Sequence, residues 1–357
     1  MIPTPVSTQS MTSTHETKAD SMPGLANIGN TCYLNSAIQA LRHVPSFTRY
    51  FTSDEWTRHR HPDRKGYGLA TETAALVSTL ATATSTVVPA KFVKEFITLA
   101  RTFNDDIMFG AQADAAEAVQ ILLDGLHTQQ GREVSMSIRG APKNPETAEY
   151  IRSLESWSAF FRKEYSQISE NFYGQTQTRI ICTACNETST RYEPWSVLKA
   201  PIPGADKAGA AAPNLQQCIA AACASETLDD YTCEKCSKKG VARIEHRMSR
   251  MPRTMILSLK RFTNQGAKVR ARIDYNEHDI SFAEWNAWPT LLNEKNTHYR
   301  VIATIEHLGS MMGGHYMMRG RDSEGNWTIY DDQTCSPSPI GGSATPDTYM
   351  LFLEKTH

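Results

Sequence analysis

Residues 24–41 read GLANIGNTCYLNSAIQAL, a loop composition that gives way to a helical one within a single segment. Gly24, Asn27, Gly29, Asn30 and Thr31 are turn and cap residues. After them Leu34, Ala37, Ile38 and Leu41 recur at i, i+3, i+4 and i+7, the spacing of one helix face. Cys32 stands at the junction. A thiol at a helix N-terminus meets unpaired backbone N–H groups and the positive end of the dipole, which favour the thiolate, the nucleophilic form. The side-chain amide of Asn27 is a candidate oxyanion donor, a role worth ~10²–10³ in rate. The same pattern also suits a small buried cysteine beside a turn, so the choice rests on whether a partner histidine exists.

The helical period continues outward from this segment. Pro89 precedes AKFVKEFITLA (90–100), where Phe92, Val93, Phe96, Ile97 and Ala100 form an apolar stripe behind a helix-starting proline. From Gln112 to His127, Ala115, Ala118, Val119, Leu122, Leu123 and Leu126 line one side, leaving Gln112, Asp114, Glu117 and Asp124 elsewhere. From about residue 172 the pattern changes. TRIIC (178–182), RTMILSLKRF (253–262) and HYRVIATIEHL (298–308) have the alternation or β-branched content of strands. Segments 201–214 and 336–346 are rich in turn residues and read as loops. Helices followed by antiparallel strands predict an α+β fold.

Composition narrows the function. The 357 residues carry a formal charge of −1, so no general basic surface points to nucleic acid or an anionic membrane as partner. Residues 1–22 lack a basic start and an apolar run and read as a disordered tail rather than a signal peptide. No stretch approaches the roughly 18 apolar residues of a membrane span. A soluble protein of the cytoplasm or nucleus is expected.

Eight cysteines are too few for a disulfide scaffold in a chain of this length. Four of them form two CxxC pairs, Cys182/Cys185 and Cys233/Cys236, and four thiolates so arranged suit a closed, structural Zn²⁺ site better than the competing reading, a redox CxxC, which would need only one pair. Cys218, Cys223 and Cys335 receive no role.

Of eleven histidines, His315 stands apart. GGHYMMRGRDSEGNWTIYDDQ reads as strands 315–321 and 326–331 around a turn at Ser323, Glu324 and Gly325. If Arg321 pairs with Asn326, His315 lies opposite Asp332 and Tyr316 opposite Asp331, while a single bulge would exchange the two acids. Either carboxylate would fix the imidazole tautomer and leave the other ring nitrogen to accept the thiol proton.

These residues together resemble the ubiquitin-specific protease family of deubiquitinases. Residues 24–41 resemble its cysteine box and residues 298–332 its histidine box. AQADAAEAVQILLDGLH (111–127) is similar to its glutamine/aspartate segment, MILSLKRF (255–262) to its central strand and TYMLFL (348–353) to its closing strand. The resemblance implies a papain-like right hand in one catalytic domain over 23–357. Its helical thumb would span about 23–165, its β fingers about 170–255 and its palm about 255–357. It implies Cys32 as nucleophile, His315 as base, Asp331 as the acid that orients the base, Asp332 as a second polarising acid and Asn27 as oxyanion support. Asp114 would grip the basic tail of ubiquitin, with Gln112 in the same segment and His307 and Tyr316 lining the tail channel. The zinc would sit at the fingertips.

The expected reaction is hydrolysis after the C-terminal glycine of ubiquitin in ubiquitinated proteins. The alternatives are a silent ubiquitin-binding scaffold and a protease for another ubiquitin-like modifier. With little sequence outside the match, substrate choice is expected to rest on surface loops or another protein, an activating partner included. Two departures bear on packing: small residues follow Asp114 and Glu117 in QADAAEAV, and Leu353 replaces a usual aromatic.

Overall fold

A computed structural model describes residues 23–356 except 60, 65–66, 205–210, 264 and 312, and the side chain of residue 294. The tail expected over 1–22 and part of the loop at 201–214 therefore lie outside the described residues.

The apolar stripes of the first half become helices α1 (Cys32–Arg42), α2 (Pro45–Thr52), α3 (Tyr67–Thr82), α4 (Ala90–Ala100), α5 (Ala115–Gln130), α6 (Pro145–Phe161) and α7 (Gln167–Phe172). The helix expected from Gln112 starts instead at Ala115. Asp114 is its N-cap, accepting from the backbone N–H of Ala116 at 2.8 Å and of Glu117 at 2.9 Å, so the chain before it is extended. Helix α1 is buried on every side, all its residues included.

After Phe172 come β1 (Gly174–Cys182), β2 (Thr188–Trp195), β3 (Leu198–Pro201), α8 (Leu215–Ala222), β4 (Glu226–Thr232), β5 (Lys239–Arg250) and β6 (Thr254–Lys260). The chain closes with β7 (Ile280–Ser281), β8 (His298–Ser310), β9 (Gly313–Arg321), β10 (Trp327–Asp331), β11 (Thr334–Pro337) and β12 (Thr348–Lys355). One antiparallel sheet has the order β2-β1-β5-β4. The other runs β11-β10-β9-β8-β12-β6-β3 with β7 on β8, antiparallel except where β3 lies parallel to β6.

The larger sheet is covered on both faces. Ile256, Ala303, Ile305, Met318, Met350 and Phe352 join the core of the helical half. Leu257, Leu259, Val301, Leu351 and Leu353 alternate with them and face a second core that includes Leu215, Ile219 and Phe282. Burial on two faces explains why YMLFL (349–353) is apolar without a break, and it gives Leu353 a fully buried place.

Behind the strand that carries His315, a buried ion pair ties the sheet together. Arg319 on β9 donates to Glu306 on β8 at 2.7 Å, with side chains 3% and 5% exposed. Arg319 also donates to the carbonyls of Gly341 and Ser343, while Glu306 accepts from Thr304, Thr345 and Thr348. Removing one member of such a pair leaves an uncompensated charge in the interior. Glu306→Ala is expected to lower unfolding free energy by about 3–5 kcal/mol. Urea unfolding of the variant checks this, and a loss under about 1 kcal/mol would show that the pair is not essential.

Candidate active site and metal centre

The hairpin at residues 313–331 does not adopt the expected register. Arg321 pairs with Trp327 and Met318 with Tyr330. Asp322 causes the shift: its carboxylate accepts from the N–H of Glu324 and Asn326, and its own N–H donates to the Asn326 carbonyl. That leaves a three-residue loop, 323–325, with Gly325 at φ +96°. Carried one step past Tyr330–Met318, this register sets Asp331 opposite Met317, so His315 becomes its diagonal neighbour on the same face. His315 Nε2 and Asp331 Oδ1 lie 2.5 Å apart.

Asp332 takes a different course. Its φ of +49° carries it out of the strand, a conformation that aspartate tolerates better than most residues. Its carboxylate accepts from Asn27 Nδ2 and from Asn35 Nδ2, both at 2.8 Å, and its carbonyl accepts from the Leu25 N–H at 2.8 Å. A Cβ on Gly24 would lie 2.6 Å from that carbonyl, so only glycine permits the approach. One ring nitrogen of His315 and one carboxylate oxygen each of Asp331 and Asp332 lie within 4.8 Å of one another.

Cys32 sits at the start of α1, 4% exposed, with its sulfur toward the backbone N–H of Tyr316, next to His315. The expected acidification is not the net result. Burial pushes the thiol up, the Tyr316 amide pulls it down, Asp332 pushes it up again, and the amides of Tyr33 and Cys32 pull it down. The helix terminus acts in the anticipated direction but is outweighed by burial. Asn27 shapes the loop before Cys32: its Oδ1 accepts from the N–H of Gly29 at 3.2 Å and of Thr31 at 3.1 Å. Its Nδ2 has one hydrogen on Asp332 and a second to offer.

The four residues associated with a tail channel lie close together. Gln112 exchanges two hydrogen bonds with the backbone of Gly314, Nε2 to the carbonyl at 3.0 Å and Oε1 from the N–H at 3.1 Å. Asp114 accepts from the Tyr349 hydroxyl as well as capping α5. Tyr316 and His307 are 7% and 4% exposed, with ring centroids 4.7 Å apart. Burial and the neighbouring Lys268 hold His307 below the usual imidazole range. Asn35 is the participant that sequence patterning passed over. Its signal was a polar residue three positions after Cys32, within a helix otherwise read only for its apolar face.

At the far end of the smaller sheet, Cys182, Cys185, Cys233 and Cys236 bring four sulfurs within 4.8 Å of one another. Cys182 and Cys236 are 4.0 Å apart and Cys185 and Cys233 3.7 Å, against the ~3.8 Å edge of a tetrahedron with metal–sulfur bonds of ~2.3 Å. The two knuckles fold alike. Asn186 and Ser237 each follow a pair at φ near 57°, donating back to the carbonyls of Cys182 and Cys233. The donor set fits a thiophilic divalent ion.

The family model described as "Ubiquitin carboxyl-terminal hydrolase" matches residues 23–353. The chain is 28% identical over 348 residues to ubiquitin carboxyl-terminal hydrolase 2 of Bos taurus, covering 94% of this chain and 55% of that protein. It is 27% identical over 359 residues to Usp2 of Drosophila melanogaster, covering 96% and 36%. The chain thus spans about half the length, or less, of these relatives. In fold it is similar to the SAGA Ubp8/Sgf11/Sus1/Sgf73 DUB module bound to ubiquitin aldehyde, with a TM-score of 0.70 at 19% identity and coverage of 98% and 72%. A structure of the yeast SAGA module gives 0.71 at 20%, covering 95% and 69%.

The sulfur geometry predicts one tightly held ion per chain. Chelation, or Cys236→Ser, should raise hydrogen exchange in β1, β2, β4 and β5 before it does so in α1 and β9, because the ion joins strand ends with little core beneath them. Elemental analysis of protein purified without chelators checks the stoichiometry.

Proposed function

Because the chain belongs to the ubiquitin carboxyl-terminal hydrolase family, we propose that it is a thiol-dependent deubiquitinase with Zn²⁺ as its structural ion. The observation that carries the reading is the His315 imidazole, its Nε2 held by Asp331, on a strand packed against the helix that begins at Cys32. With Nε2 engaged, Nδ1 of His315 remains to take the thiol proton. The thiolate attacks the carbonyl carbon of the terminal glycine, and the second Nδ2 hydrogen of Asn27 meets the oxyanion. As the intermediate collapses, the amine leaves with the proton from His315. Water, activated by the same imidazole, then releases the carboxylate and restores the thiol.

Asp114, Gln112, His307 and Tyr316 form the approach to the thiol in this reading. The carboxylate suits a basic tail, and packed aromatic rings beside the thiol would favour glycine over larger residues. Zinc would be held by Cys182, Cys185, Cys233 and Cys236 at the fingertips, remote in sequence and element from the chemistry.

Cys32→Ala should abolish hydrolysis of a ubiquitin C-terminal amide while retaining ubiquitin binding, since it removes the nucleophile and little volume. Turnover surviving in that variant would overturn the mechanism. Activity probes built on other ubiquitin-like modifiers test the alternative specificity, and a wild-type protein that binds ubiquitin without turnover would be a scaffold.

The two acids should separate kinetically. Asp331→Ala removes the partner of His315 and should lower kcat further than Asp332→Ala, whose loss acts through Asn27 at a cost of ~10²-fold or less. Stopped-flow or steady-state kcat at equal folded fraction reads the ranking, and the opposite order would make Asp332 the orienting acid.

A further inference from the structure

Helix α1 carries two stripes, and both are buried. Leu34, Ala37, Ile38 and Leu41 pack into the core. Asn35 and Gln39 instead face the chain that precedes the nucleophile. Gln39 Nε2 donates to the Pro23 carbonyl at 3.1 Å, and Asn35 Nδ2 donates to the Ala26 carbonyl at 3.4 Å and to Asp332 Oδ1 at 2.8 Å. Asn35 is 3% exposed, so its amide has been withdrawn from water for these partners.

Two bonds to Asp332 and one to the Ala26 carbonyl close a ring. One carboxylate oxygen takes Asn35, on the same helix as Cys32, and the other takes Asn27, whose remaining hydrogen is the oxyanion donor. Asn35 also holds the carbonyl of Ala26, the residue before Asn27. Three residues along a helix is a nearly fixed distance, so Asn35 transmits the position of Cys32 to both ends of this ring. We infer that Asn35 is a positioning residue for the proposed reaction, fixing the Asn27 donor relative to the Cys32 sulfur through Asp332. The inference rests on the hydrolase reading above. Asn35 touches no reacting atom; a donor displaced by even about 1 Å can cost 10²-fold in rate.

The test compares kcat and KM of full-length variants on a ubiquitin C-terminal amide of a fluorescent amine. Asn35→Ala should lower kcat by about 10- to 100-fold with KM changed less than about threefold. The double variant Asn35→Ala/Asp332→Ala should be no slower than the more impaired single variant, because both break one ring. Multiplying losses would overturn the inference and leave Asn35 a packing residue.

Asn35→Asp keeps the volume and supplies a second readout where the alanine variant fails to fold. It places two carboxylates in one bond's reach, so one must take up a proton, and a protonated acid can donate where the amide did. Its kcat deficit relative to wild type should therefore shrink as pH falls from 8 toward 6, whereas that of Asn35→Ala should stay constant. A deficit independent of pH would overturn the inference. A wild-type protein without turnover would overturn the hydrolase reading and this inference together; an active wild type with variants outside this pattern overturns the inference alone.

Discussion

The carboxylate of Asp332 bonds two residues that lie 305 and 297 positions away in sequence. Cys32 and His315 sit on separate elements, one at the head of a helix and one on a strand, and nothing covalent keeps them in register. A charged acceptor sharing two amides provides what the chain does not, through bonds roughly twice as strong as neutral ones. The left-handed backbone at Asp332 costs of order 1–3 kcal/mol and is retained because the Leu25, Asn27 and Asn35 donors all converge on it. The two cores behind the site then fix the rest: α1 is enclosed by the helical half, and β9 is braced by the buried Glu306–Arg319 pair.

Much of this was legible in the residues. The stripe from Leu34 to Leu41 marked α1, the change of period marked the start of the sheets at Gly174, and the cysteine spacing marked a cluster that the fold does assemble. Other features were set by interactions that patterning does not carry. The hairpin slipped by one residue because the Asp322 side chain organised its own turn, a competition between side chain and ladder that strand periodicity cannot register. The thiol follows burial rather than the helix terminus, since burial depends on what the rest of the chain lays over Cys32. Asn35 escaped notice because a polar residue on a helix is ordinarily read as facing solvent, and α1 has no solvent face.

The two sheets are stabilised differently. The eight-stranded sheet is the middle layer of a packed body, and its strands alternate between two cores. The four-stranded one has little beneath it: β4 is exposed along almost its whole length and β2 is only half covered. Four cysteine sulfurs gather at its tip, where a hydrophobic interior is lacking. The left-handed residues after each cysteine pair, Asn186 and Ser237, turn the chain back so that all four sulfurs converge.

The separation bridged by Asp332 also bears on the order in which the molecule assembles. Local helices form early in a folding chain, while contacts between segments hundreds of residues apart carry the largest loop-closure entropy and form late. During synthesis Cys32 emerges long before His315 and Asp332, so the helix that begins at Cys32 is made well before its distant partners. Convergence of Cys32, His315 and Asp332 is thereby coupled to completion: it is a long-range closure that only a nearly finished chain can make.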